Sequence, residues 1–263
     1  MQVVPHICDA IQEWVLRVAK APVTQCSLVS AASSSVRGRA KPPEVCIIEL
    51  GGTLGDIESM PFVEALRQLQ ERVGYDNLCF VSVSLIPVLG SPSEQKTKPT
   101  QHAVKQMMQL GLRPDFLCCR GKEPLEPGSR RKLSLFCSVP ENAIVSLHDV
   151  SNIYRVPLMM LDQNVPAMLA QRLQLGRMAN GKAKDYASAQ EHRSIRQNRV
   201  MRDWAELAES VDSPESECCI GMVGKYLDQG DACEFTPSCV SEGCLQILFV
   251  VSQKQKLLVW GIC

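Results

Sequence analysis

The sequence predicts an α/β protein whose mostly parallel sheet is covered by helices on both faces. Three observations point there. The runs VCIIEL (Val45 to Leu50), FVSVSLIPV (Phe80 to Val88), DFLCCR (Asp115 to Arg120) and AIVSLHDV (Ala143 to Val150) are dominated by apolar residues, as expected of strands buried on both faces. Segments with helical character separate them, which is the alternation that builds parallel sheets. A hydrophobic fraction of 45% in 263 residues supports a sizeable core, in one large domain or two small ones.

The elements can be justified in chain order. Ile11, Val15, Leu16 and Val18 recur at roughly helical spacing between Asp9 and Lys20. The Ser- and Ala-rich stretch Thr24 to Arg39 reads as a flexible loop. VCIIEL then runs into the turn GGTLGDIESM, and a helix from Pro61 to Val73 follows, with proline in its first turn. After the second strand, Gln101 to Leu110 has good helix propensity and stops at Gly111, the usual residue just past a helix end. Pro99 suits the first turn of that helix and biases Lys98 towards an extended conformation. A helix from Ser129 to Ser138 follows the third strand. Gly176 to Arg202 is polar and basic and reads as a linker, and Asp203 to Val211 as a short helix. CCIGMVGKY (Cys218 to Tyr226) reads as a new strand and turn. Beyond Leu227 no pattern emerges until the apolar stretch CLQILFVV, an aggregation hazard if unpaired.

Bulk composition excludes several functions. Twenty-eight basic residues balance 28 acidic ones, so no global field favours nucleic acid or a membrane surface. No run approaches 18 apolar residues, so no membrane span is expected. MQVVPHICDAIQEWV lacks the charged leader and apolar centre of a secretion signal. The 13 cysteines include no CxxC pair, and Cys118-Cys119 and Cys218-Cys219 sit in apolar runs. Buried thiols in a reducing, cytoplasmic compartment are expected. The tail set Cys233, Cys239, Cys244 and Cys263 lacks zinc-finger spacing.

The informative chemistry lies where the apolar runs end, because ligands of parallel sheets gather beyond the carboxyl ends of the strands. EQKTKPTQHAV (Glu94 to Val104) places Lys96 and Lys98 two apart at the start of a helix whose free N–H groups carry positive dipole, with hydroxyls from Thr97 and Thr100. That combination suits a phosphate; the alternative is a solvated surface helix. Glu49, at a strand end before Gly51-Gly52, suits magnesium held with phosphates, or else a salt bridge or cap. Asp56 and Glu58 suit sugar hydroxyls or lysines, or cap the next helix. Lys132, in the run Arg130-Arg131-Lys132, is a ligand contact or a solvated residue. Arg120 and Asp149 also fall at strand ends. GRMANGKA (Gly176 to Ala183) fits a phosphate loop except for the final Ala, which cannot bind magnesium, and no apolar strand precedes it. His6, His102, His148 and His192 are scattered, and no nucleophile–base pair stands out.

IIELGGTLGDIESMPFVEALRQ, EQKTKPTQHAVKQMMQLGLRPD, KLSLFCSVPENAIVSLHDVSNIYRVPL and IGMVGKY, in that order, resemble the cytidine triphosphate (CTP) synthase family. QVVPHICDAIQEWV adds to the likeness, with Cys8 where the family usually has threonine. The resemblance implies ATP-dependent amination of UTP to CTP, with glutamine or ammonia as nitrogen donor, on a P-loop amidoligase-like fold. It implies Glu49 as a magnesium ligand. Asp56, Ile57, Glu58, Lys96, Thr97, Lys98, Pro99, Thr100, Gln101 and Lys132 would hold UTP or CTP across a subunit interface of a homotetramer. Arg120, Asp149 and Val150 would surround the ATP adenine, and His6 would lie near the active site. Residues 1–173 correspond to a partial synthetase domain, 174–217 to an interdomain linker, and 218–263 to the start of a glutaminase domain with a divergent tail. The family's N-terminal strand with its ATP phosphate loop, and its glutaminase triad, have no counterpart in this sequence. The expectation is therefore a truncated form without independent activity, its sheet left with unpaired strand edges. Assembly with full-length CTP synthase is the alternative role, and failure to fold the bland one.

Overall fold

The computed structural model describes residues 2–22, 43–52, 54–90, 94–175, 198–214 and 256–262, the last of these as backbone. The expected loop at 24–39, the near phosphate loop at 176–183, and the stretches 218–226 and 244–251 lie outside the described residues. All four expected strands form: β1 (Val45–Leu50), β2 (Leu78–Leu85), and, after a short antiparallel ribbon of β3 (Val88–Leu89) and β4 (Glu94–Gln95), β5 (Phe116–Gly121) and β6 (Ile144–His148). A further strand, β7 (Lys256–Ile262), joins them in one parallel sheet of order β1-β7-β2-β5-β6. The unpaired edges expected inside this sheet are not found, because β7 runs between β1 and β2 and pairs with both.

Helices α1 (Cys8–Lys20), α2 (Met60–Val73), α3 (Lys98–Gln109), α4 (Pro127–Cys137), α5 (Val156–Asp162), α6 (Val165–Arg172) and α7 (Arg199–Asp212) flank the sheet or pack at its rim. Prolines in the first turns of α2 to α6 explain where those helices begin, since a helix start has no use for the missing N–H. Lys98, expected to be extended ahead of Pro99, instead opens α3. That helix closes on Gly111, whose φ of +80° is the left-handed geometry a helix end favours. One apolar cluster joins Leu78 and Phe80 to Leu66 and Leu69 of α2 and Met107 of α3. Another joins Val81, Leu117 and Val145 to Val104 of α3, Leu133 of α4 and Val165 of α6. Cys79, Cys118, Cys119 and Cys137 are buried in the second cluster, and burial pushes the thiols of Cys118 and Cys119 up to about 12. They act as core side chains, not as nucleophiles.

The amino ends of the strands are locked by one ion pair. Asp115, just before β5, accepts from Arg172 Nε at 2.7 Å, from the Tyr75 hydroxyl at 2.7 Å and from the Phe80 N–H at 2.8 Å. Arg172 also donates to the Leu78 carbonyl at 2.8 Å, and its guanidinium lies over the Tyr75 ring, 3.8 Å from the centroid. At the opposite side of the chain, α7 docks on residues 151–155. Asp212 accepts from Asn152 at 2.6 Å and Ser151 at 2.9 Å and pairs with Arg155, while Trp204 Nε1 donates to the Tyr154 carbonyl at 2.6 Å.

On α2, Arg67 bonds Glu64 through two nitrogens at 2.8 and 3.0 Å, and Gln68 adds a third bond at 2.7 Å. These bonds, Arg67 first, hold the Glu64 carboxyl down at about 2. A carboxyl depressed on folding stabilises above its ordinary value of 4.5 and loses that contribution as the pH falls towards 2. Both side chains are a third exposed, so solvent screening keeps the effect modest. Urea unfolding of the chain and of Glu64→Gln should therefore differ at pH 7 and converge between pH 4.5 and 2. A difference that persists at pH 2 would contradict the assignment.

Candidate functional site at the carboxyl edge of the sheet

The expected site residues fall into three groups along the carboxyl edge. The first is acidic. Glu49 lies one residue from the end of β1 and is exposed, and Asp56, Ile57 and Glu58 form the exposed turn that leads into α2. Ser59 secures that turn, its N–H and hydroxyl both donating to the Asp56 carbonyl at 3.1 and 3.0 Å. Gly55 has φ +101°, and a Cβ there would sit 2.0 Å from Gln106 Nε2, so the turn lies directly against α3. Glu49, Asp56 and Glu58 line one cavity of about 480 Å³ together with Gly51, Gly52 and an apolar wall that includes Trp14 and Phe62. Their carboxylates make no hydrogen bond or ion pair with other described residues.

The second group is basic. Lys96 and Lys98 flank the start of α3, half-exposed and exposed respectively. Lys96 pairs with Glu94 at 2.5 Å, and the Lys98 ammonium lies 5.8 Å from the centre of the Phe136 ring on α4. The bonded Lys96, with a smaller contribution from Lys132, holds the Glu94 carboxyl below the usual carboxylate range. Lys132 of α4 thus acts on the same stretch of chain as the lysine pair. Thr97, Thr100 and Gln101 turn inward: Gln101 donates to Thr97 Oγ1 at 3.0 Å, and Thr100 Oγ1 accepts from Ser84 at 2.9 Å. These three frame the helix start from below, and Pro99 is exposed on it.

The third group is Arg120 at the end of β5 and Asp149 just past β6, paired at 3.4 Å with both side chains more than half exposed. The Asp149 N–H donates to the Gly121 carbonyl at 3.1 Å, and Val150 beside it is half-buried. His6 stands apart, exposed on the turn before α1, its Nδ1 accepting from the Gln2 N–H at 3.0 Å. Cys8, two residues on, is buried and reaches the Pro61 carbonyl, which sets this turn beside the start of α2.

One positioning residue escapes a sequence reading. Gln95 is buried, donates to the Pro124 carbonyl at 2.7 Å and accepts from the Glu126 N–H at 3.0 Å. It clamps the start of α4, and so the helix of Lys132, to β4, the strand that ends just before Lys96. A glutamine in a polar stretch gives no signal of this, because the clamp exists only once β4 and α4 meet. Among the described residues no group of three or more His, Cys, Asp or Glu is placed to hold a metal ion. No described helix is long and apolar enough to cross a membrane.

Fold and site together define a parallel α/β domain that gathers separate acidic and basic loops at the carboxyl edge of its sheet, the place where such folds take small ligands. A family model described as CTP synthase N-terminus matches residues 1–175. The chain is 44% identical over 236 residues to CTP synthase from Dictyostelium discoideum, covering 88% of this chain and 38% of that protein. It is 43% identical over 233 residues to CTP synthase 1 from Homo sapiens, covering 88% of this chain and 34% of that protein. The chain belongs to the CTP synthase family. It spans little more than a third of the length of these relatives.

Proposed function

We propose that this chain carries the pyrimidine-nucleotide site of a CTP synthase, binding UTP or its amination product CTP. The observation that carries the reading is the placing of Lys96 and Lys98 at the start of α3 on a buried frame of Gln95, Thr97, Thr100 and Gln101, with Lys132 on α4, the helix that Gln95 clamps to β4. Lysines act as point charges towards phosphate oxygens, and the helix start adds N–H groups of the same sign. The acidic turn, Asp56 to Glu58, follows Gly55, which lies against Gln106 of the same helix, and suits the sugar hydroxyls. Glu49 offers a single exposed carboxylate, not a metal cage. That fits magnesium, which keeps most of its shell as water and phosphate oxygens and so would arrive with a triphosphate. The magnesium would neutralise phosphate charge; orientation falls to the lysines. The Arg120–Asp149 pair and Val150 are assigned to the adenine side of an ATP site. In the complete reaction of the family, ATP activates UTP and glutamine or ammonia supplies the nitrogen; the residues described here are assigned binding, not turnover.

Thermal unfolding followed by circular dichroism, with and without magnesium and UTP, tests this. Ligand at about 100 times its dissociation constant adds about 2.7 kcal/mol, which should raise Tm visibly and should be lost in Lys96→Ala. A Tm unmoved by UTP, or moved equally in Lys96→Ala, would refute the reading. Ile57 favours a second role. It is 91% exposed between two acids of the proposed site, as expected if this edge meets a further subunit. Assembly with full-length CTP synthase is the corresponding function, and co-purification with it is the measurement.

A further inference from the structure

Among the described strands β6 is the outer one beside β5. Successive residues of a strand turn their backbone groups to alternate sides. The Asp149 N–H, just past β6, bonds Gly121 of β5, so Ile144 and Ser146 turn theirs away from the sheet. All four of those groups are taken, and none of them by a strand. The Ile144 N–H donates to the Glu141 carbonyl, and the Ile144 carbonyl accepts from Arg130 Nη1 of α4. The Ser146 N–H donates to Gln163 Oε1 at 2.8 Å, and the Ser146 carbonyl accepts from Gln163 Nε2 at 2.7 Å. One side-chain amide thus makes both bonds that an antiparallel partner residue would make. Gln163 is held for this at the reversal between α5 and α6, where Asn164 has φ +62° and its N–H donates to the Leu161 carbonyl at 3.0 Å. Asparagine adopts that left-handed conformation more readily than most residues.

We infer that Gln163, with Arg130 beside it, is an edge guard that closes β6 to pairing with a second copy of this chain. An open strand edge is a template for another strand, and proteins block it in several ways; here two side chains occupy the backbone groups themselves. The strand kept out is the same strand of another molecule. Ala143 to His148 reads AIVSLH, with no Asp, Glu, Lys, Arg or proline, and six-residue segments of that composition pair with their own copies. The guard is not a packed wall. Arg130, Ile144, Gln163 and Met168 line a cavity of about 360 Å³ at this edge, so the bonds of the guard, and not steric bulk, keep a strand away. Assembly of intact chains is thereby directed to other surfaces. The inference stands independently of the nucleotide reading.

Amide exchange followed by NMR, with sizing over a range of protein concentrations, tests it on the full chain. In Gln163→Ala the Ser146 N–H loses its acceptor. Its exchange in dilute solution should be at least about tenfold faster than in the wild type, while Val145 and Leu147, which face β5, keep their protection. As the concentration rises, larger species should form and the Ser146 amide should become protected within them. The wild-type Ser146 amide should not respond to concentration. Gln163→Glu is the control: it also gives up a bond, to the Ser146 carbonyl, but it leaves a charge on the edge and should not form the strand-paired species. Gln163→Asn, one methylene short of both groups, takes the place of Gln163→Ala should that variant not fold. Association of Gln163→Glu to the same extent overturns the inference, because association would then follow from lost stability. So does an opened variant that keeps its Ser146 protection in dilute solution or its wild-type size at every concentration. A variant that associates while its Ser146 amide goes on exchanging freely overturns it as well, since its contact lies elsewhere.

Discussion

Asp115→Ala is expected to lose about 3–5 kcal/mol of folding stability, the usual effect of removing one partner from a buried ion pair. The side chains of Asp115 and Arg172 are 6% and 14% exposed. Without the carboxylate, the Arg172 charge and the Phe80 N–H both lose their partner inside the protein, and the Tyr75 hydroxyl loses its own. A domain has about 5–15 kcal/mol to lose, so this single change removes a large part of the total. Arg172→Met on top of Asp115→Ala should recover some of it, since the stranded charge is then gone. Urea unfolding of the three proteins measures both steps. Because the pair sits at the amino ends of the strands and the candidate site at the carboxyl ends, any Asp115→Ala protein that folds should keep its response to UTP. A loss below about 1 kcal/mol would mean that the cluster does not hold the sheet together.

Gly55→Val is expected to act at the other end and in the other manner. The φ of +101° suits glycine and strains a β-branched residue by about 1–3 kcal/mol. The new side chain also meets Gln106. The far end of a glutamine can swing aside, so backbone strain dominates and Gln106→Ala should not rescue the variant. The turn relieves the strain by leaving α3, carrying Asp56 and Glu58 away from the lysines. The Tm without ligand should fall only modestly, whereas the rise with UTP and magnesium should vanish. Rescue by Gln106→Ala would show that crowding, not backbone geometry, sets the position of the turn.

Much of this was legible in the residues, and the limits have physical causes. β1, β2, β5 and β6 were readable because a strand covered on both faces must be apolar along its length, and such runs can be seen locally. The helix starts were readable from proline and the end of α3 from Gly111. The lysines and acids were readable as strand-end residues, since the fold class says where ligands go. The orientation of Thr97 and Thr100 was not. A hydroxyl at a helix start suits a ligand or the core equally, and Ser84 and Gln101 decide it only after folding. Gln95 was hidden for the same reason. α7 was expected to be shorter, and its anchoring by Asp212 to Ser151, Asn152 and Arg155 depends on residues far away in sequence. β7 was not legible: KLLVWGI is short, it follows a longer apolar run, and nothing local says that its neighbours lie near residues 45 and 80.

That pairing also sets a timetable. Lys256 faces Val45 across some 200 residues of chain. At the usual pace of about 5–20 residues per second, β1 emerges from the ribosome roughly 10–40 s before its partner has been made. During that interval the nascent chain can assemble β2, β5 and β6 with their helices, while β1 waits for the one neighbour it has among the described strands. Until then the inner side chains of β1 have only α1 and α2 to pack on, so the order of synthesis makes the completion of the sheet a late event.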